Sequence, residues 1–271
     1  MRIDQHTVLY AVIGHPLGHT LSPVMHNRAF EATGVNALYM AFETKRLEEA
    51  VNGLRGLGIR GCSVTLPFKT AVMPLLDDLD PLARAIGAVN TIVNRGGRLA
   101  GYNTDAAGAL AAVREVMEPS GRRVVILGAG GAARAAGFAL KEAGASLTIA
   151  NRTPERGKEL ARALNASFAP IDGLRGLPVD LLIQATPVGM HPRQDRCPLD
   201  EALIQAPVVM ELIYNPRETR LLGVARRKGA AVIPGLRMFI HQGAAQFRLW
   251  TGKEPPLEAM EAAVLQALEH P

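Results

Sequence analysis

The sequence predicts an α/β fold that is divided into two domains. Its 271 residues are enough for one large domain or two modest ones. Segments typical of strands and of helices alternate along almost the whole chain, which indicates parallel strands with helices on both faces of the sheet. A strand, a glycine-rich turn and a helix follow one another at residues 124–143, the order that begins a βαβ unit. We find no internal repeat and no flexible linker, so structured elements must join the domains.

In the amino-terminal region, apolar runs predict the strands, and residues that cap or stop helices mark the helix ends. Residues 7–13 are a buried strand candidate, and Ser22-Pro23 predicts a helix with serine as its N-cap and proline at its first position. Gly34 ends that helix. Apolar residues at offsets 0, 3, 4 and 7 from Leu47 predict an amphipathic helix. The next elements are a strand at 59–65, a short helix opened by Asp80-Pro81, and a hairpin of 89–94 with 98–102 around Gly96-Gly97.

From about residue 104 onward, strands and helices alternate more regularly. An alanine-rich helix at 106–117 ends before Pro119 and Gly121, which break helices. Helices near Ala106 and Met238 are the candidates for crossing between the domains. The further elements are a strand at 124–127, a helix to about 143, a strand at 147–150, a helix opened by Thr153-Pro154, and strands at 179–183, 208–213 and 230–233.

The composition excludes several classes of protein. With 48% hydrophobic and 20% charged residues, the chain lacks the signature of disorder. Cys62 and Cys197 are too few and too distant for a disulfide framework or a zinc ribbon. His15 and His19 stand at i and i+4, but the proline and glycine between them argue against a helix, so we expect no metal. The longest uncharged stretch, 5–27, contains four histidines and two prolines, which no bilayer span would carry. Without a signal-peptide pattern, we expect a reduced, cytoplasmic protein.

The net charge of +5 and the pI of about 9.5 suggest anionic partners. Residues 121–160 contain seven basic and three acidic side chains, a net charge of +4. Residues 217–228 contain five basic and one acidic side chain and also net +4, which is more typical of a solvated helix face. We do not expect nucleic acid binding, because there is no recognition-helix motif and the 12 aromatic residues offer few stacking platforms.

The strongest local motif is VVILGAGGAAR at residues 124–134, which places glycine and alanine in the GxGxxA pattern. Gly128 allows the tight turn from strand to helix, Gly130 lets the backbone approach a pyrophosphate, and Ala133 lets helix and strand pack closely. The helix N-terminus then offers free N–H groups and a partial positive charge to the phosphates. The alternative is a glycine-rich turn that binds nothing. The preceding strand and the following helix favour a Rossmann-like dinucleotide site.

The end of the next predicted strand indicates which dinucleotide binds. An NAD site usually has an acidic residue there for the ribose 2′-OH, whereas this chain has Asn151-Arg152-Thr153 and then Arg156. Guanidinium groups bind a 2′-phosphate through charge-assisted hydrogen bonds. Solvated helix-start arginines are the alternative interpretation. The pattern therefore predicts a preference for NADP over NAD.

Polar side chains also collect at the ends of predicted elements before residue 110. They occupy HTLSP at 19–23, SVTLPFK at 63–69, GAVNT at 87–91 and GYNTD at 101–105. In open α/β sheets, ligands bind where strand ends meet loops. These stretches are therefore the candidate positions for substrate binding and catalysis.

The same stretches carry a resemblance to a known family. TLSPVMHN at 20–27 is close to an SxSPxxHN pattern, SVTLPFK at 63–69 to NVTxPxK, and GAVNT and GYNTDAAG match GAxNT and GxNTDxxG. Further along, the chain contains GAGGAA, NRT, ATPVGM, YNP and a carboxy-terminal pattern that ends in WTG. In this order and over nearly the whole length, these motifs closely resemble those of the shikimate dehydrogenase family.

The resemblance implies reversible hydride transfer between NADPH and 3-dehydroshikimate in aromatic amino acid biosynthesis. Thr20 and Ser22 would hold the substrate carboxylate, and Lys69 would lie at the reacting oxygen. The implied substrate-binding residues are Thr20, Ser22, Thr65, Lys69, Asn90, Asp105, Tyr214 and Gln242. The implied cofactor-binding residues are Gly128, Ala129, Gly130, Gly131, Ala132, Asn151, Arg152, Thr153, Arg156, Thr186 and Gly235.

Ketone reduction places negative charge on oxygen, so a proton donor and a cationic neighbour both lower the barrier. We therefore expect Lys69 and Asp105 to be the catalytic acid–base pair, and which of them carries the transferred proton stays open. Each candidate also has a purely structural interpretation. Ser22 is a good helix cap, and Asp105 would complement a helix dipole.

The chain departs from the family pattern at four positions. Thr20 replaces the commoner serine and adds a methyl group. Because of this change, the alternative interpretation is a quinate/shikimate dehydrogenase that uses NAD. The other departures are Ser63 and Gln184, each in place of asparagine, and Glu211 in place of aspartate. A catalytically silent NADP-binding protein on the same scaffold is a further alternative, but it would not need Lys69 and Asp105.

For the architecture, we expect an amino-terminal α/β substrate domain and a Rossmann-like NADP-binding domain. Residues 1–103 with 240–271 would bind substrate, and 104–239 would form the NADP-binding domain, with the carboxy-terminal helices returning to the first domain. We expect the active site in the cleft between them and closure of the domains over the ligands. A monomer and a homodimer both stay open.

Overall fold

The computed structural model describes residues 3–18 and 20–269 of the chain, which falls into two compact units. The first contains the residues up to Thr104 together with those from Ile240 onward, and the second contains Asp105–Phe239. The chain returns from the second unit to the first within a single helix, Gly235–Thr251.

A six-stranded mixed sheet forms the centre of the first unit. The strands are β1 (Val8–Gly14), β2 (Ala37–Glu43), β3 (Gly61–Val64), β4 (Asp78–Leu79), β5 (Thr91–Arg95) and β6 (Arg98–Tyr102). Their order is β2-β1-β3-β5-β6-β4. β1 runs parallel to β2 and β3, whereas β5 is antiparallel to β3 and β6. The predicted hairpin is confirmed, because Arg95 pairs with Arg98 across the two glycines of the turn.

Three helices follow within the same stretch of chain, α1 (Ser22–Ala32), α2 (Leu47–Gly56) and α3 (Pro81–Ile86). The predicted apolar stripe of α2 is confirmed, since Val51 and Leu54 are buried against the apolar side chains of the sheet. The predicted cap of α3 is also confirmed, because the Asp80 carboxylate accepts a hydrogen bond of 2.9 Å from the Leu82 N–H. The start of α3 was thus predictable because its cap bond joins two residues that are only two positions apart.

The prediction that Ser22 caps α1 is wrong. The helix begins at Ser22 itself, Leu21 takes the cap position, and no side chain in the described residues caps this end. Pro23 is tolerated at the second helical position because the first N–H groups of a helix have no intrahelical acceptor. The helix can therefore start one residue earlier than the serine–proline pair suggests.

The bounds of β3 differ from the prediction, and two strands of the first sheet, β2 and β4, were not predicted. β3 covers Gly61–Val64 rather than 59–65, because the Ile59 N–H bonds the Leu54 carbonyl at the end of α2 instead of entering the sheet. β2 was not predicted, although its uninterrupted apolar run at residues 37–42 is a signal that could have identified it.

The second unit is built around a parallel sheet. Its strands are β7 (Arg123–Leu127), β8 (Ser146–Ala150), β9 (Ser167–Ala169), β10 (Leu181–Gln184), β11 (Val208–Glu211) and β12 (Ala231–Ile233). Their order is β12-β11-β10-β7-β8-β9, and all neighbouring pairs are parallel. The helices are α4 (Asp105–Arg114), α5 (Gly131–Glu142), α6 (Pro154–Ala163) and α7 (Arg220–Arg227).

The sheet of the second unit has a core on each face, as predicted. Along β7, Val124 and Ile126 belong to one apolar cluster, and Val125 and Leu127 belong to the other. Every side chain of β7 after Arg123 is therefore buried, which is typical of a central parallel strand. α4 is shorter than predicted, since it covers Asp105–Arg114 and is followed by a turn in which the N–H groups of Val116 and Met117 both bond the Val113 carbonyl.

Two further helices complete the chain, α8 (Gly235–Thr251) and α9 (Leu257–Glu269). α9 packs against α1 in the first unit. Gly243 in α8 allows a close approach to α1, because a Cβ atom there would overlap the Met25 side chain. Within the described chain, no helix has both the length and the apolar character needed to cross a membrane.

Candidate active site and cofactor site

The turn between β7 and α5 has the geometry that its glycines predicted. Gly128 has φ of +116°, a conformation that side chains rarely adopt, and a Cβ atom there would lie 3.0 Å from the Ala185 carbonyl oxygen. Its N–H donates to the Ala150 carbonyl at 2.8 Å, which fixes the turn to the end of β8. Glycine is therefore required at this position by both conformation and space.

The start of α5 is arranged to receive an anion. A Cβ atom at Gly130 would meet no described atom within 4 Å, so the space beside this backbone is open. Gly130 is the N-cap in an extended conformation, and no side chain of residues 3–18 or 20–269 caps the helix there. Ala129, Gly131 and Ala132 lie in the same turn and are partly exposed. Uncapped N–H groups and the helix dipole favour a phosphate at this point.

The residues that follow β8 fit a second phosphate. Arg152 and Arg156 are both exposed, and within residues 3–18 and 20–269 neither forms an ion pair. The Asn151 side chain donates to the Thr153 carbonyl at 2.8 Å and so shapes the segment that leads into α6. Two free guanidinium groups beside a strand end suit a 2′-phosphate.

Gln184 organises the loop that carries Thr186. The Gln184 side chain is fully buried, its oxygen accepts from the Thr186 N–H at 2.9 Å, and its nitrogen donates to the Val188 carbonyl at 2.9 Å. The sequence identified Gln184 only as a departure from asparagine. In the structure it is the residue that holds the Thr186 loop in place.

Glu211 organises the next loop in the same way, with a carboxyl group instead of an amide. One oxygen accepts from the N–H groups of Leu212 and Ile213 at 2.9 and 3.0 Å, and the other accepts from the Thr219 hydroxyl at 3.0 Å. Burial nevertheless raises the pKa of Glu211 to about 8, because it outweighs the effect of these three donors. The protonated form of the Glu211 carboxyl is therefore more favoured at neutral pH than that of an ordinary glutamate.

The loop held by Glu211 contains Tyr214. The Tyr214 ring stacks on Phe239 with a centroid distance of 4.2 Å, and the residue is partly exposed. Gly235, at the start of α8, lies directly against the same loop, since a Cβ atom there would overlap the Ile213 carbonyl oxygen. Close backbone packing therefore explains the glycine at this position.

In the first unit, Thr20 and Ser22 place two hydroxyl groups at the N-terminus of α1. The Thr20 hydroxyl donates to the Ser22 oxygen at 3.3 Å, and the Ser22 N–H donates back to the Thr20 oxygen at 3.4 Å. Ser22 is buried and Thr20 is partly exposed. Together with the N–H groups of the first helical turn, they form a local group of donors.

The loop after β3 carries Thr65 and Lys69. The Thr65 N–H donates to the Ile13 carbonyl at 3.0 Å, and the Lys69 carbonyl accepts from the Val89 N–H at 2.8 Å. Both ends of the loop are therefore fixed to neighbouring segments by main-chain bonds. Lys69 is partly exposed and follows directly from this fixed backbone.

Asn90 and Gln242 are brought together across a long stretch of sequence. The Asn90 amide donates to the Gln242 oxygen at 3.4 Å and to the Thr104 hydroxyl at 2.9 Å. Its oxygen accepts from the Thr104 N–H and from the Thr91 hydroxyl, both at 2.8 Å. Asn90 is 2% exposed, so these bonds account for a buried amide at the edge of a polar cluster.

Gln246 is the main residue of this region that sequence reasoning missed. It lies one helical turn after Gln242 on α8 and is 2% exposed. Its oxygen accepts from the Ser63 hydroxyl at 3.0 Å. Ser63, which replaces the asparagine of the family pattern, therefore has a hydrogen-bond partner in Gln246. A polar residue four positions after a predicted site residue on one helix was the available signal.

Asp105 is the first residue of α4, and it is 4% exposed. It belongs to the second unit, as do Tyr214 and the predicted cofactor-binding residues, whereas Lys69 belongs to the first. Among the described side chains, no group of three or more His, Cys, Asp or Glu residues could hold a metal ion. His19, which the sequence placed beside His15, lies outside the described residues.

Phosphates are the ligands that a bare helix N-terminus after a glycine turn binds best, and the two arginines add a second phosphate site. The amides and hydroxyls of the first unit suit a ligand with several oxygens. These features define the class of nicotinamide dinucleotide-dependent oxidoreductases on a two-unit α/β fold.

Comparison with known proteins narrows this class. Residues 12–92 match the shikimate dehydrogenase substrate binding domain, 111–217 match shikimate/quinate 5-dehydrogenase, and 235–265 match the shikimate 5′-dehydrogenase C-terminal domain. A shikimate dehydrogenase (NADP⁺) from Moorella thermoacetica is 47% identical, over 99% of this chain and 96% of that protein. The chain belongs to the shikimate dehydrogenase family.

Solved structures agree with this assignment. A crystal structure of shikimate dehydrogenase in complex with NADP⁺ has a TM-score of 0.92 and 42% identity, and the match covers 98% of each chain. Shikimate 5-dehydrogenase from Thermus thermophilus, in complex with NADP(H) and shikimate, has a TM-score of 0.90 and 40% identity. That match covers 97% of this chain and all of the other.

Proposed function

We propose that the protein is an NADP-dependent shikimate dehydrogenase, which reversibly reduces 3-dehydroshikimate to shikimate. The observation that carries the proposal is that Lys69, Asp105 and Gln242 occur together in a chain of which 99% aligns with such an enzyme. A relative without catalytic activity would have no need of Lys69, Asp105 and Gln242 together.

In this proposal, the substrate carboxylate binds at Thr20 and Ser22. Their hydroxyl groups lie 3.3 Å apart, and the N–H groups of the first turn of α1 lie beside them. Hydroxyl and N–H donors at a helix N-terminus favour a negative group. The methyl group of Thr20 narrows this site compared with serine.

The ring hydroxyls of the substrate are assigned to Thr65, Asn90 and Gln242, with Asp105 and Tyr214 contributing from the second unit. The Asn90–Gln242 bond supports this assignment, because it groups two amides that can both donate and accept. A substrate with several hydroxyl groups requires such partners of mixed polarity. Binding through them would distinguish it from ligands with fewer hydroxyls.

Lys69 and Asp105 are the proposed acid–base pair. Bound NADPH supplies the hydride in this chemistry. The Lys69 ammonium group stabilises the negative charge that develops on the substrate oxygen, and the pair supplies the proton that this oxygen takes up. The fixed backbone on each side of Lys69 supports this role, because it limits the positions that the side chain can reach.

NADP is the proposed cofactor, and the residues of the second unit fit it. The pyrophosphate would bind at the turn formed by Gly128, Gly130 and the start of α5, and the 2′-phosphate would bind at Arg152 and Arg156. Asn151, Thr153, Thr186 and Gly235 are assigned to the same site. The exposure of both arginines supports the preference for NADP over NAD.

We also propose a homodimer in a reducing, cytoplasmic environment. β2 is the edge strand of the first sheet, and Met40 and Phe42 on it are exposed, so it offers a surface for self-association. Cys62 and Cys197 are both free thiols, which suits a reducing compartment. Light scattering distinguishes a dimer from a monomer of 28.9 kDa.

The activity itself is tested by mixing protein, NADPH and 3-dehydroshikimate and following the nicotinamide absorbance. The proposal predicts loss of absorbance that requires both ligands, and reversal with shikimate and NADP⁺. An NADP-binding protein that gives no loss would be the silent binder, and the proposal would be wrong. Repeating the assay with quinate and NAD⁺ tests the alternative that the Thr20 methyl group keeps open.

A further inference from the structure

The strand order in the sheet of the second unit reverses between β7 and β10. From β7 the chain adds β8 and β9 on one side, and it then crosses over to place β10 on the other side of β7. In open parallel sheets, ligands bind outside the carboxyl ends of the strands at such a point. The loops that follow β7 and β10 therefore lie on either side of the position where a dinucleotide is expected.

The phosphate sites give the dinucleotide a direction across the sheet. In the proposed function, the pyrophosphate binds at the turn after β7, and the 2′-phosphate of the adenosine ribose binds at Arg152 and Arg156, after β8. β8 and β10 are the neighbours of β7 on opposite sides. Because the pyrophosphate joins the two halves of the cofactor, the adenosine half extends toward β8 and the nicotinamide half extends toward β10.

The loop after β10, residues 185–189, packs directly against the glycine turn, and we call it the Thr186 loop. A Cβ atom at Gly128 would lie 3.0 Å from the Ala185 carbonyl oxygen and 3.2 Å from Cγ2 of Thr186. The Ala185 N–H donates to the Leu127 carbonyl, at the end of β7, at 2.9 Å. Thr186 is partly exposed. The Thr186 loop therefore adjoins the phosphate turn on the side toward which the nicotinamide half extends.

Gln184 fixes the Thr186 loop through a fully buried amide. Its oxygen accepts from the Thr186 N–H at 2.9 Å, and its nitrogen donates to the carbonyls of Thr186 and Val188 at 3.2 and 2.9 Å. A main-chain N–H can only donate and a carbonyl can only accept, so these three bonds allow one orientation of the amide.

The Thr186 loop depends on Gln184 for these bonds. Over the described part of the chain, the main-chain N–H and carbonyl of Thr186 bond only Gln184, and so does the Val188 carbonyl. The one other bond of these two residues is internal to the loop, from the Val188 N–H to the Thr186 hydroxyl at 3.3 Å. Without the amide, three main-chain groups beside the phosphate turn lose their partner, so the loop should not keep a single conformation.

We propose that Gln184 is a positioning residue for the cofactor: through its three bonds it holds the Thr186 loop in the conformation that receives the nicotinamide half of NADP. The inference rests on the proposed function, because it takes NADP as the cofactor and the arginines after β8 as its 2′-phosphate site. Gln184 itself is buried and does not touch the cofactor in this account.

The test is the substitution Gln184→Met, which keeps the length of the side chain and removes all three bonds. Isothermal titration calorimetry measures the Kd for NADP⁺ and for adenosine 2′,5′-bisphosphate, which has the adenosine and the 2′-phosphate but no nicotinamide half. We expect the Kd for NADP⁺ to rise about tenfold and the Kd for the bisphosphate to stay within about twofold. An unchanged Kd for NADP⁺, or an equal rise for both ligands, would overturn the inference.

The matched control is Asn94→Leu in the first unit. The Asn94 amide is buried and makes the same set of bonds, since it donates to the carbonyls of Leu54 and Ile59 at 2.9 and 3.0 Å and accepts from the Gly97 N–H at 2.8 Å. The control should lower the thermal stability and leave both Kd values unchanged. A tenfold rise of the Kd for NADP⁺ in the control would attribute the effect to general destabilisation and contradict the positioning role.

Amide hydrogen exchange on the parent protein tests the same inference if Gln184→Met does not fold. NADP⁺ should slow exchange in residues 185–189, and adenosine 2′,5′-bisphosphate should not, although both should protect the segment at Arg152 and Arg156. Equal protection of residues 185–189 by the two ligands, or none by NADP⁺, overturns the inference alone. A parent protein that binds neither ligand overturns the proposed function, and this inference falls with it.

Discussion

Lys69 is the residue on which the proposed chemistry depends most. Its backbone is fixed by the bond from the Val89 N–H to its carbonyl, at 2.8 Å. Replacing Lys69 with alanine removes the cation and the proton donor at the reacting oxygen. We expect kcat to fall at least about 100-fold, since general acid catalysis contributes roughly 10² or more.

The binding of NADP should be unaffected by Lys69→Ala, and fluorescence titration of the cofactor checks this. Lys45→Ala is the control, because Lys45 is an exposed lysine outside the proposed site. Near-normal turnover in Lys69→Ala would remove Lys69 from the mechanism, and an equal loss in the control would show that the assay reports something else.

Arg152 and Arg156 carry the prediction about cofactor choice. Both are exposed and without an ion-pair partner in the described residues, so their guanidinium groups can meet a 2′-phosphate. Replacing either with alanine removes a charge-assisted bond. We expect the KM for NADP⁺ to rise about 10- to 100-fold and the KM for NAD⁺ to change little.

Arg162→Ala in the last turn of α6 is the control for these two substitutions, because it removes an arginine from the same helix at its opposite end. Equal effects on NADP⁺ and NAD⁺ would mean that the arginines do not recognise the 2′-phosphate. Steady-state kinetics with both cofactors, at one fixed shikimate concentration, separates these outcomes.

Single residues also show which parts of the candidate site could not be predicted from the sequence. Asn90 and Lys69 were predictable because they lie near the ends of recognisable strands, within motifs: Asn90 directly before β5 and Lys69 after β3. Gln246 was not, because its partners Ser63 and Asn90 lie 183 and 156 residues away in sequence. Only the fold brings these groups together, and a buried glutamine looks like an exposed one in a sequence.

At the scale of elements, local signals predicted the fold well and competing local bonds explain the errors. The hairpin of β5 and β6 was predictable because two glycines with positive φ make its turn. The Ser22 cap was wrong because serine and proline suit both the cap and the first helical turn, and the backbone used the second option. The predicted β3 was too long because the Ile59 N–H bonds the Leu54 carbonyl at the end of α2.

The loop after β11 should respond to pH through Glu211. Its folded-state pKa of about 8 is raised above the ordinary value of 4.5. Between these two values the folded protein binds more protons than the unfolded chain, so stability falls as pH rises and levels off above about pH 8. Glu211→Gln cannot lose a proton and should not show this fall.

We expect the stability of Glu211→Gln relative to the parent protein to increase between about pH 5.5 and 8.5 by up to a few kcal/mol. Each pH unit between the two pKa values contributes at most about 1.4 kcal/mol. Urea unfolding at several pH values measures it. Glu258→Gln, at an exposed position in α9, is the control and should give a curve parallel to that of the parent. Parallel curves for Glu211→Gln would contradict the raised pKa.

At the scale of the whole molecule, the structure shows which of the positive charges are available to a ligand. The net charge of +4 over residues 121–160 includes Arg123, which pairs with Asp180 at 2.8 Å, and Arg134, which lies 3.5 Å from Glu159. Arg152 and Arg156 are the part of this excess that is available to a cofactor. The sequence identified the charged window, but only the structure separates the paired arginines from the available ones.

The assignment of ligands to units predicts where each ligand slows amide hydrogen exchange. NADP⁺ should protect the turn at 128–133, where the pyrophosphate binds N–H groups, and the segment 151–157, where the 2′-phosphate binds Arg152 and Arg156. Shikimate should protect residues 20–25, 65–69 and 90–91 in the first unit. Exchange followed by mass spectrometry, with each ligand alone, measures both patterns. Protection of the first set by shikimate alone would reverse the assignment.

The central claim is that this chain is an NADP-dependent shikimate dehydrogenase, and its most direct test is kcat/KM for four combinations. Shikimate and quinate are each paired with NADP⁺ and NAD⁺ on the same preparation. We predict that shikimate with NADP⁺ exceeds each of the other three combinations by about tenfold or more. Equal or faster turnover of quinate with NAD⁺, or no turnover in any combination, would contradict the account.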